Sequence, residues 1–408
     1  NYFSGVMSSL VWGALAGGII FLALPRLPQF SNPFGIREKG VSSGYTGSVN
    51  LRVESNINAS SELALVVEAK DVNWLARHGE GMYLRGNSLD YFDGTNWTQS
   101  SIEYSLFRNP EVIRTARHLS PVQRAFKIYR EPHRTRHVIY PGVFLGIEAP
   151  TQIIGELYYD SNRNLLRGST DRVRYSYDVL AGEPIRTFQY EKTKLADVLK
   201  EKSNFSQDDL RKYLQAPFDL SANNFFGKWV HEVGAKPSET IPQVIQRLRV
   251  HFFDHFTPML SYSLSSSRAL EAFLTQDRKG HCEYFATAAA MYFRALGIPA
   301  RIVLGYRGGT FNKVSKVLEV REQNAHAWVE LYSPDAGWVD FDPTPMGPVE
   351  EVTQLEALAT FYIGAMKFWA NRYLVNSNAV TQKNLGRSFS SIGNGADIKT
   401  SLSGSWCS

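Results

Sequence analysis

Two stretches of the sequence decide the fold: RKGHCEYFATAAAMYFRALGIPA (278–300) and NAHAWVELYSPDAGWVDFDPTP (324–345). The first predicts a buried helix from about Cys282 to Leu296, because its large apolar residues recur at helical spacing and its alanines allow close packing. Gly297 suits the position just after the helix. Cys282 is therefore expected in the first turn, where the helix N-terminus stabilises a thiolate.

The second stretch predicts two strands joined by a Ser-Pro-Asp-Ala-Gly turn. Side chains alternate between the faces of a strand, so His326, Asp340 and Asp342 are expected on one face of an antiparallel pair. A turn centred on Pro334 places His326 directly opposite Asp342. A turn centred on Asp335 makes them diagonal by two residues. Either arrangement separates their β carbons by roughly 4.5–8 Å, and Asp342 is the better partner because Asp340 lies further along.

A thiol at a helix start, a neighbouring histidine and a carboxylate beside it predict a nucleophile, a base and an orienting group. These residues are Cys282, His326 and Asp342. The alternative is that each is structural: a packed thiol, a strand-end histidine and a turn carboxylate. The backbone N–H of Cys282 is expected in an oxyanion hole. Trp328 and Tyr306 are candidates for the second donor.

Composition excludes several classes of protein. The chain has 408 residues, enough for two to three domains, and a net charge of +5. Its basic residues are scattered, so no nucleic-acid partner is predicted. Cys282 and Cys407 are the only cysteines, which excludes a disulfide framework and a Cys-only zinc site.

Histidines elsewhere in the sequence suggest a less favoured alternative to a thiol nucleophile, namely a metal site. His251 and His255 lie four residues apart on a predicted helix, but the glutamate of a His-Glu-x-x-His motif is missing. His281 and Glu283 flank Cys282, yet adjacent residues on a helix point apart. No metal is therefore predicted.

The N-terminal part predicts membrane attachment. Residues 6–24 form a 19-residue stretch without a charge, close to the length that crosses a bilayer as a helix. We assign 1–25 to a transmembrane helix and 26–47 to a linker rich in Gly, Pro and Ser. The basic residues that follow the span weakly favour the cytoplasm for the rest of the chain.

The remaining sequence divides into several segments with different predicted secondary structure. Recurrent β-branched and aromatic runs, including YLRGNSLDYFDGTNW (83–97), predict strands and a hairpin in its first part. SETIPQVIQRLRVHFFDHF (238–256) predicts a helix with Ser238 as a candidate N-cap and Phe252 and Phe253 on its apolar face. The predicted parts are a β-rich domain (48–185), a helical connector (186–237), a catalytic core (238–348), an amphipathic helix (349–380) and a disordered tail (381–408).

These motifs resemble one known family. GHCEYFATAAAMYFRALGIPARIVLGYRGG followed by VREQNAHAWVELYSPDAGWVDFDPTP resembles the transglutaminase core of bacterial membrane-anchored transglutaminase-like proteins. FLALPRLPQF, GYTGSVNL and YLRGNSLDYFDGTNW resemble that family's last membrane helix and the segment after it. The resemblance implies an α+β, papain-like core over about 238–348, preceded by a β-rich domain and a transmembrane helix. It also implies Cys282 as nucleophile, His326 as base and Asp342 as orienting carboxylate, without a cofactor.

The same resemblance implies a function and a location. The expected reaction is acyl transfer from a glutamine or peptide amide of a protein or peptide, with a primary amine or water as acceptor. A cysteine protease of the same fold and a non-catalytic, membrane-tethered binding scaffold are the alternatives. The resemblance implies the inner membrane, further membrane helices upstream and a catalytic domain on the extracytoplasmic, periplasmic side. This location is preferred to the weak charge asymmetry.

Overall fold

The computed structural model describes residues 45, 47–51, 60–100, 103–107, 123–133, 135–148, 156–162, 164–168, 174–183, 194–196, 206–218, 224–259, 268–333 and 337–345. The chain divides into Asn1–Gly40, which lies outside these ranges, and Val41–Ser408, to which all that follows refers. The helices in the described ranges are α1 (Val72–His78), α2 (Gln207–Tyr213), α3 (Phe225–Val233), α4 (Ile241–His255), α5 (Ala269–Ala272) and α6 (Cys282–Ala295). Short helical turns span Gly79–Gly81, Phe273–Asp277 and Glu322–Asn324. The strands are β1 (Val49–Asn50), β2 (Leu63–Ala69), β3 (Tyr83–Leu89), β4 (Tyr91–Phe92), β5 (Asn96–Thr98), β6 (Ser105–Leu106), β7 (Gln123–Arg130), β8 (Tyr140–Pro141), β9 (Val143–Glu148), β10 (Leu157–Tyr159), β11 (Leu165–Arg167), β12 (Tyr175–Gly182), β13 (Thr257–Pro258), β14 (Lys279–Gly280), β15 (Ala300–Arg307), β16 (Thr310–Asn312), β17 (Val317–Arg321), β18 (Ala325–Ser333) and β19 (Gly337–Phe341).

A five-stranded antiparallel sheet contains the second of the two decisive stretches. Its order is β19-β18-β15-β3-β8. β18 and β19 are the two strands predicted within 324–345, and β15 is the strand that follows α6. β3 and β8 come from the segment 48–185. Strands from both sides of the predicted domain boundary therefore form one sheet.

A six-stranded antiparallel sheet combines the same two parts of the chain. Its order is β16-β17-β2-β7-β12-β9. β2, β7 and β12 lie within the segment 48–185 that was predicted to be rich in strands. They pair through β2 with β17, which lies within the predicted core. A separate β-rich domain is thus not confirmed, and the domain boundaries remain predictions.

Helix α6 packs against β15 and β18 and is almost wholly buried. Its alanines let the backbone approach the sheet closely, as the sequence predicted. The helix ends in a Schellman motif. Gly297 takes φ +76° and its N–H donates to Arg294 O at 2.9 Å, while Ile298 N–H donates to Phe293 O at 2.8 Å. The expected stop at Gly297 is confirmed.

The aromatic stretch 83–97 divides between two sheets. β4 and β5 form the expected hairpin, whereas β3 leaves it to join the five-stranded sheet. Trp97 of β5 is fully buried and its indole N–H donates to Thr287 Oγ1 of α6 at 3.0 Å. The hairpin therefore packs on the helix that begins at Cys282.

Helix α4 differs in two details from the prediction. It begins after Thr240 rather than Ser238, and the Gln243 side chain accepts a hydrogen bond from the Thr240 N–H at 2.8 Å. Phe252 is buried as expected, but Phe253 is 74% exposed. Phe253 faces away from the core because successive residues of a helix are about 100° apart around its axis.

Several predicted segments lie outside the described residues. These are the transmembrane stretch 6–24, the amphipathic helix 349–380 and the tail 381–408. No helix within the described ranges is both long and apolar enough to cross a membrane. The described part of the connector 186–237 contains α2 and α3.

Candidate active site

Cys282 is the first residue of α6 and is buried, with 7% of its surface exposed. His281 is the N-cap residue. The dipole of this 14-residue helix is positive at its start and stabilises a negative charge there. A Cβ atom on Gly280 would lie 2.9 Å from the Tyr284 side chain and 3.1 Å from that of Phe273. Only glycine lets the chain enter the helix so close to these rings.

His326 and Asp342 meet across the hairpin formed by β18 and β19. Glu330 pairs with Asp340, which centres the register on Asp335, one of the two arrangements that the sequence allowed. His326 and Asp342 are thus diagonal by two residues rather than directly opposite. Their side chains are joined by a hydrogen bond of 2.8 Å between Nε2 and Oδ2.

The His326 imidazole also engages Cys282. Nε2 is occupied by Asp342, and the Cys282 side chain is near enough to the ring to act on its charge. Burial disfavours the charged imidazolium, but Asp342 and Cys282 together outweigh it and raise the pKa of His326 to about 10. The structure thus brings the three predicted residues together, with the imidazole between thiol and carboxylate.

Asp342 lies one residue beyond β19 and accepts four hydrogen bonds or ionic contacts. Oδ2 receives His326 Nε2, the Tyr83 hydroxyl at 2.7 Å and Arg307 Nη1 at 3.1 Å. Oδ1 accepts from the Thr344 N–H at 3.0 Å. Burial alone would favour the neutral acid, but His326, Arg307 and Tyr83 hold the pKa of Asp342 well below its usual range. The carboxylate therefore stays ionised.

The two candidates for a second oxyanion donor have other partners. The indole N–H of Trp328 donates to Asp340 Oδ1 at 2.9 Å, and an indole has only this one donor. The Tyr306 hydroxyl lies between Arg130, at 3.1 Å, and Glu322, at 3.2 Å. Both side chains are thus engaged away from the thiol.

A buried ion cluster lies further along the same face of the sheet. Glu330 accepts from Arg85 at 3.0 Å and from Arg301 at 2.6 Å. Arg85 also donates to Asn164 at 2.8 Å. Burial would raise the pKa of Glu330, but the two guanidinium groups outweigh it and keep that pKa low. The cluster joins β3, β15 and β18 beneath the site.

Asp340 is the neighbour of this cluster, and we expect Asp340→Asn to stabilise the protein at alkaline pH. Burial and the Glu330 charge raise the pKa of Asp340 to about 7, although Arg85 and Arg301 oppose this. Because the folded-state pKa exceeds the ordinary value of 3.8 for an aspartate, ionising Asp340 costs stability as pH rises between the two values. Asparagine keeps the acceptor for Trp328 without the charge, for a gain of about 1–2 kcal/mol above pH 7.

Urea unfolding of both proteins measures this gain. The advantage of Asp340→Asn should shrink towards pH 4, where wild-type Asp340 is neutral in the folded protein. An unfolding midpoint at pH 8 that is no higher than that of the wild type would contradict the prediction.

The other histidines do not assemble a metal site in the described residues. His251 Nε2 accepts from the Trp229 indole at 3.1 Å, which supports a packing role. His281 Nδ1 lies 3.8 Å from Glu283 Oε2. Across the described ranges, no group of three or more His, Cys, Asp or Glu side chains is placed to hold a metal ion.

The sequence analysis did not identify the side chains that surround Cys282, His326 and Asp342. Arg301 and Arg307 lie on the same face of β15, which period-two alternation in ARIVLGYR could have revealed. Tyr83 had no such signal, because nothing in YLRGNSL names the strand that it pairs with.

A helix with a thiol at its start, packed on an antiparallel sheet that supplies a His–Asp pair, defines an α+β, papain-like fold of the transglutaminase type. Family models agree with this class. Residues 228–343 match the transglutaminase-like superfamily core, and residues 2–186 match the TgpA N-terminal domain. The chain belongs to the bacterial TgpA-like family of transglutaminase-like proteins.

Individual relatives match only part of this chain. A protein-glutamine gamma-glutamyltransferase of Pseudomonas aeruginosa is 35% identical over 127 residues, 31% of this chain and 18% of that protein. The uncharacterized protein YebA of Bacillus subtilis is 24% identical over 287 residues, 65% of this chain and 37% of that protein. The chain therefore spans less than two fifths of the length of either.

Solved structures support the fold. The crystal structure of the periplasmic domain of TgpA from Pseudomonas aeruginosa, bound to ethylmercury, matches with a TM-score of 0.55 at 22% identity. The match covers 74% of this chain and 96% of that one. A second crystal structure of the same domain also gives a TM-score of 0.55.

Proposed function

We propose that the protein is a thiol-dependent acyltransferase that acts on the side-chain amide of a protein or peptide glutamine. Cys282 is the nucleophile, His326 the general base and acid, and Asp342 the carboxylate that orients His326. The observation that supports this most directly is the position of the His326 imidazole. Nε2 is bound to Asp342 at 2.8 Å, and the Cys282 side chain is near enough to the ring to help raise the pKa of His326.

The acylation half-reaction uses the thiolate–imidazolium pair. Cys282 Sγ attacks the amide carbon, and the carbonyl π electrons move to oxygen. The Cys282 N–H at the helix start is aimed to stabilise this oxyanion. His326 then gives its proton to the amide nitrogen, the C–N bond breaks, and ammonia leaves. A thioester on Cys282 and a neutral imidazole remain.

The second half-reaction decides the product. A primary amine attacks the thioester while neutral His326 removes its proton, which yields a cross-linked amide and restores the thiol. Water in place of the amine gives a carboxylic acid. Asp342 stays ionised throughout and stabilises the imidazolium each time it forms.

The proposal extends to location and domain organisation. The catalytic part is residues 238–348, with the membrane helix at 6–24 and the active site on the extracytoplasmic side. Support comes from the likeness to a periplasmic domain of TgpA and from the match to the TgpA N-terminal domain. The acyl donor is a protein glutamine, because one relative is named a protein-glutamine gamma-glutamyltransferase.

Incubation of the purified chain with a glutamine-bearing protein and a labelled primary amine tests the proposal. We expect covalent label transfer, complete loss of transfer in Cys282→Ala, and full activity in Cys407→Ala, which removes the other cysteine. Ammonia release without label would indicate an amidohydrolase, and new peptide ends a protease. A chain without any of these products, whose Cys282 reacts with iodoacetamide no faster than free cysteine, would overturn the proposal in favour of a binding scaffold.

A further inference from the structure

Strand β3 brings a tyrosine to the catalytic carboxylate from far along the chain. Tyr83 is the first residue of β3, and its hydroxyl donates to Asp342 Oδ2 at 2.7 Å. It precedes the core that begins near residue 238, and it falls within the match to the TgpA N-terminal domain. The site that contains Asp342 is thus completed by a residue from the other half of the chain.

Tyr83 and Arg307 act on Asp342 as a pair. Their strands are antiparallel and the two residues are directly opposite in the register. The Arg307 guanidinium lies 5.5 Å from the centre of the Tyr83 ring. The ring also packs edge-on against Trp328, with centroids 5.2 Å apart. Contacts with a cation and an indole thus restrict the Tyr83 ring while its hydroxyl donates to the carboxylate.

Asp342 needs such support because β19 ends at Phe341. Beyond Phe341, no sheet pairing among the described residues fixes the orientation of Asp342. Oδ1 is anchored by the Thr344 N–H, while Oδ2 has to face His326. The Tyr83 hydroxyl and Arg307 reach the same Oδ2 atom from the β3–β15 side and so restrict where it can lie.

We propose that Tyr83, paired with Arg307, is a positioning residue that fixes Asp342 against His326, so that strand β3 of the N-terminal segment is part of the functional site. This inference rests on the proposed function only in that the site is taken to be catalytic. The alternative is that Tyr83 merely fills space between β3 and Trp328.

The two possibilities differ in their effect on His326. A hydroxyl that holds Asp342 against His326 strengthens the contact between the carboxylate and the imidazolium. Without it, the carboxylate stabilises the imidazolium less well, so the rise of thiolate reactivity should move to higher pH. The charged groups facing His326 and Asp342 are Cys282 on α6 and Arg307 on β15, and these are unchanged in Tyr83→Phe. A tyrosine that only filled space would lose nothing in this variant, because phenylalanine keeps the ring.

The experiment compares Tyr83→Phe with Tyr129→Phe in the full chain. Tyr129 is a matched control, because its hydroxyl also donates to a carboxylate, Glu68, at 3.2 Å, but in the other large sheet. We expect Tyr83→Phe to lower kcat for amine transfer roughly tenfold with little change in KM, the effect of one hydrogen bond to a charged group. We expect its profile of alkylation by iodoacetamide against pH to be displaced to higher pH, and Tyr129→Phe to match the wild type.

Alkylation needs no acyl donor, so it separates two kinds of failure. A wild-type chain that alkylates rapidly but transfers no amine would refute the proposed function and leave the test of Tyr83 intact. A Tyr83→Phe chain with wild-type kcat and a superimposable alkylation profile would overturn the inference. If Tyr83→Phe does not fold, Arg307→Gln removes the guanidinium that also contacts Oδ2, with Arg307→Lys as the variant that keeps the charge. The inference then requires the lysine variant to be the more active of the two.

Discussion

His326→Gln is expected to lower kcat/KM for amine transfer by roughly 10³-fold, the size of effect that general acid–base catalysis contributes. Glutamine can occupy the space and accept or donate hydrogen bonds, but it cannot take the thiol proton or carry it to the leaving nitrogen. The loss should be almost as large as in Cys282→Ala, because residues that act as a unit fail together.

Initial rates with the labelled amine measure this loss, and His78→Gln is the matched control. His78 lies at the end of α1, where its Nδ1 contacts Trp74 O at 2.9 Å in an exposed setting. We expect that variant to keep the wild-type rate. A His326→Gln chain within roughly tenfold of the wild type would refute His326 as the base.

The raised pKa of His326 sets the pH range over which its ring is charged. The pKa rises from 6.5 to about 10, so the ion pair of the imidazolium with Asp342 should be lost only as pH rises towards about 10. The protonated ring of His326 also stabilises the folded protein. This stabilisation is present in full below the unfolded-state pKa and is lost as pH rises through the folded-state pKa.

Glu330→Gln is expected to destabilise the folded protein by about 3–5 kcal/mol. The carboxylate is buried and lies between Arg85 at 3.0 Å and Arg301 at 2.6 Å. A neutral amide leaves two buried guanidinium groups without their counter-charge, and its NH₂ group faces at least one of them as a second donor. The cost is that of unpaired buried charge rather than the net value of the original ion pair.

Urea unfolding at neutral pH measures this effect, with Glu183→Gln as the control. Glu183 pairs with Arg124 at 2.9 Å, but its side chain is 50% exposed. Such a surface pair contributes about 0–1 kcal/mol. The gap in stability between the variants should narrow as pH falls from 4.5 towards 2, because the unfolded chain then takes up a proton at Glu330, whereas folded Glu330, with its pKa lowered to about 2, stays ionised. Equal midpoints for the two variants would refute the buried cluster as a stabilising unit.

Local structure was largely predictable from the sequence. The start of α6 at Cys282 and its stop at Gly297 follow from spacing, alanine content and one glycine. The hairpin of β18 and β19 follows from period-two alternation, which also placed His326 and Asp342 on one face. Where a turn could be centred in two ways, the sequence left two registers, and the structure selected the one centred on Asp335.

The sequence by itself therefore predicted the thiol helix and the His–Asp hairpin, because these depend on local periodicity over about 65 residues. Only the tertiary structure decided which strands complete the two large sheets and which groups surround Asp342. β3 pairs with β15, and β2 with β17, across more than 200 residues of chain. A strand's own residues specify which faces are buried but not its distant partner. Tyr83 consequently reaches Asp342 through a pairing that no local pattern encodes.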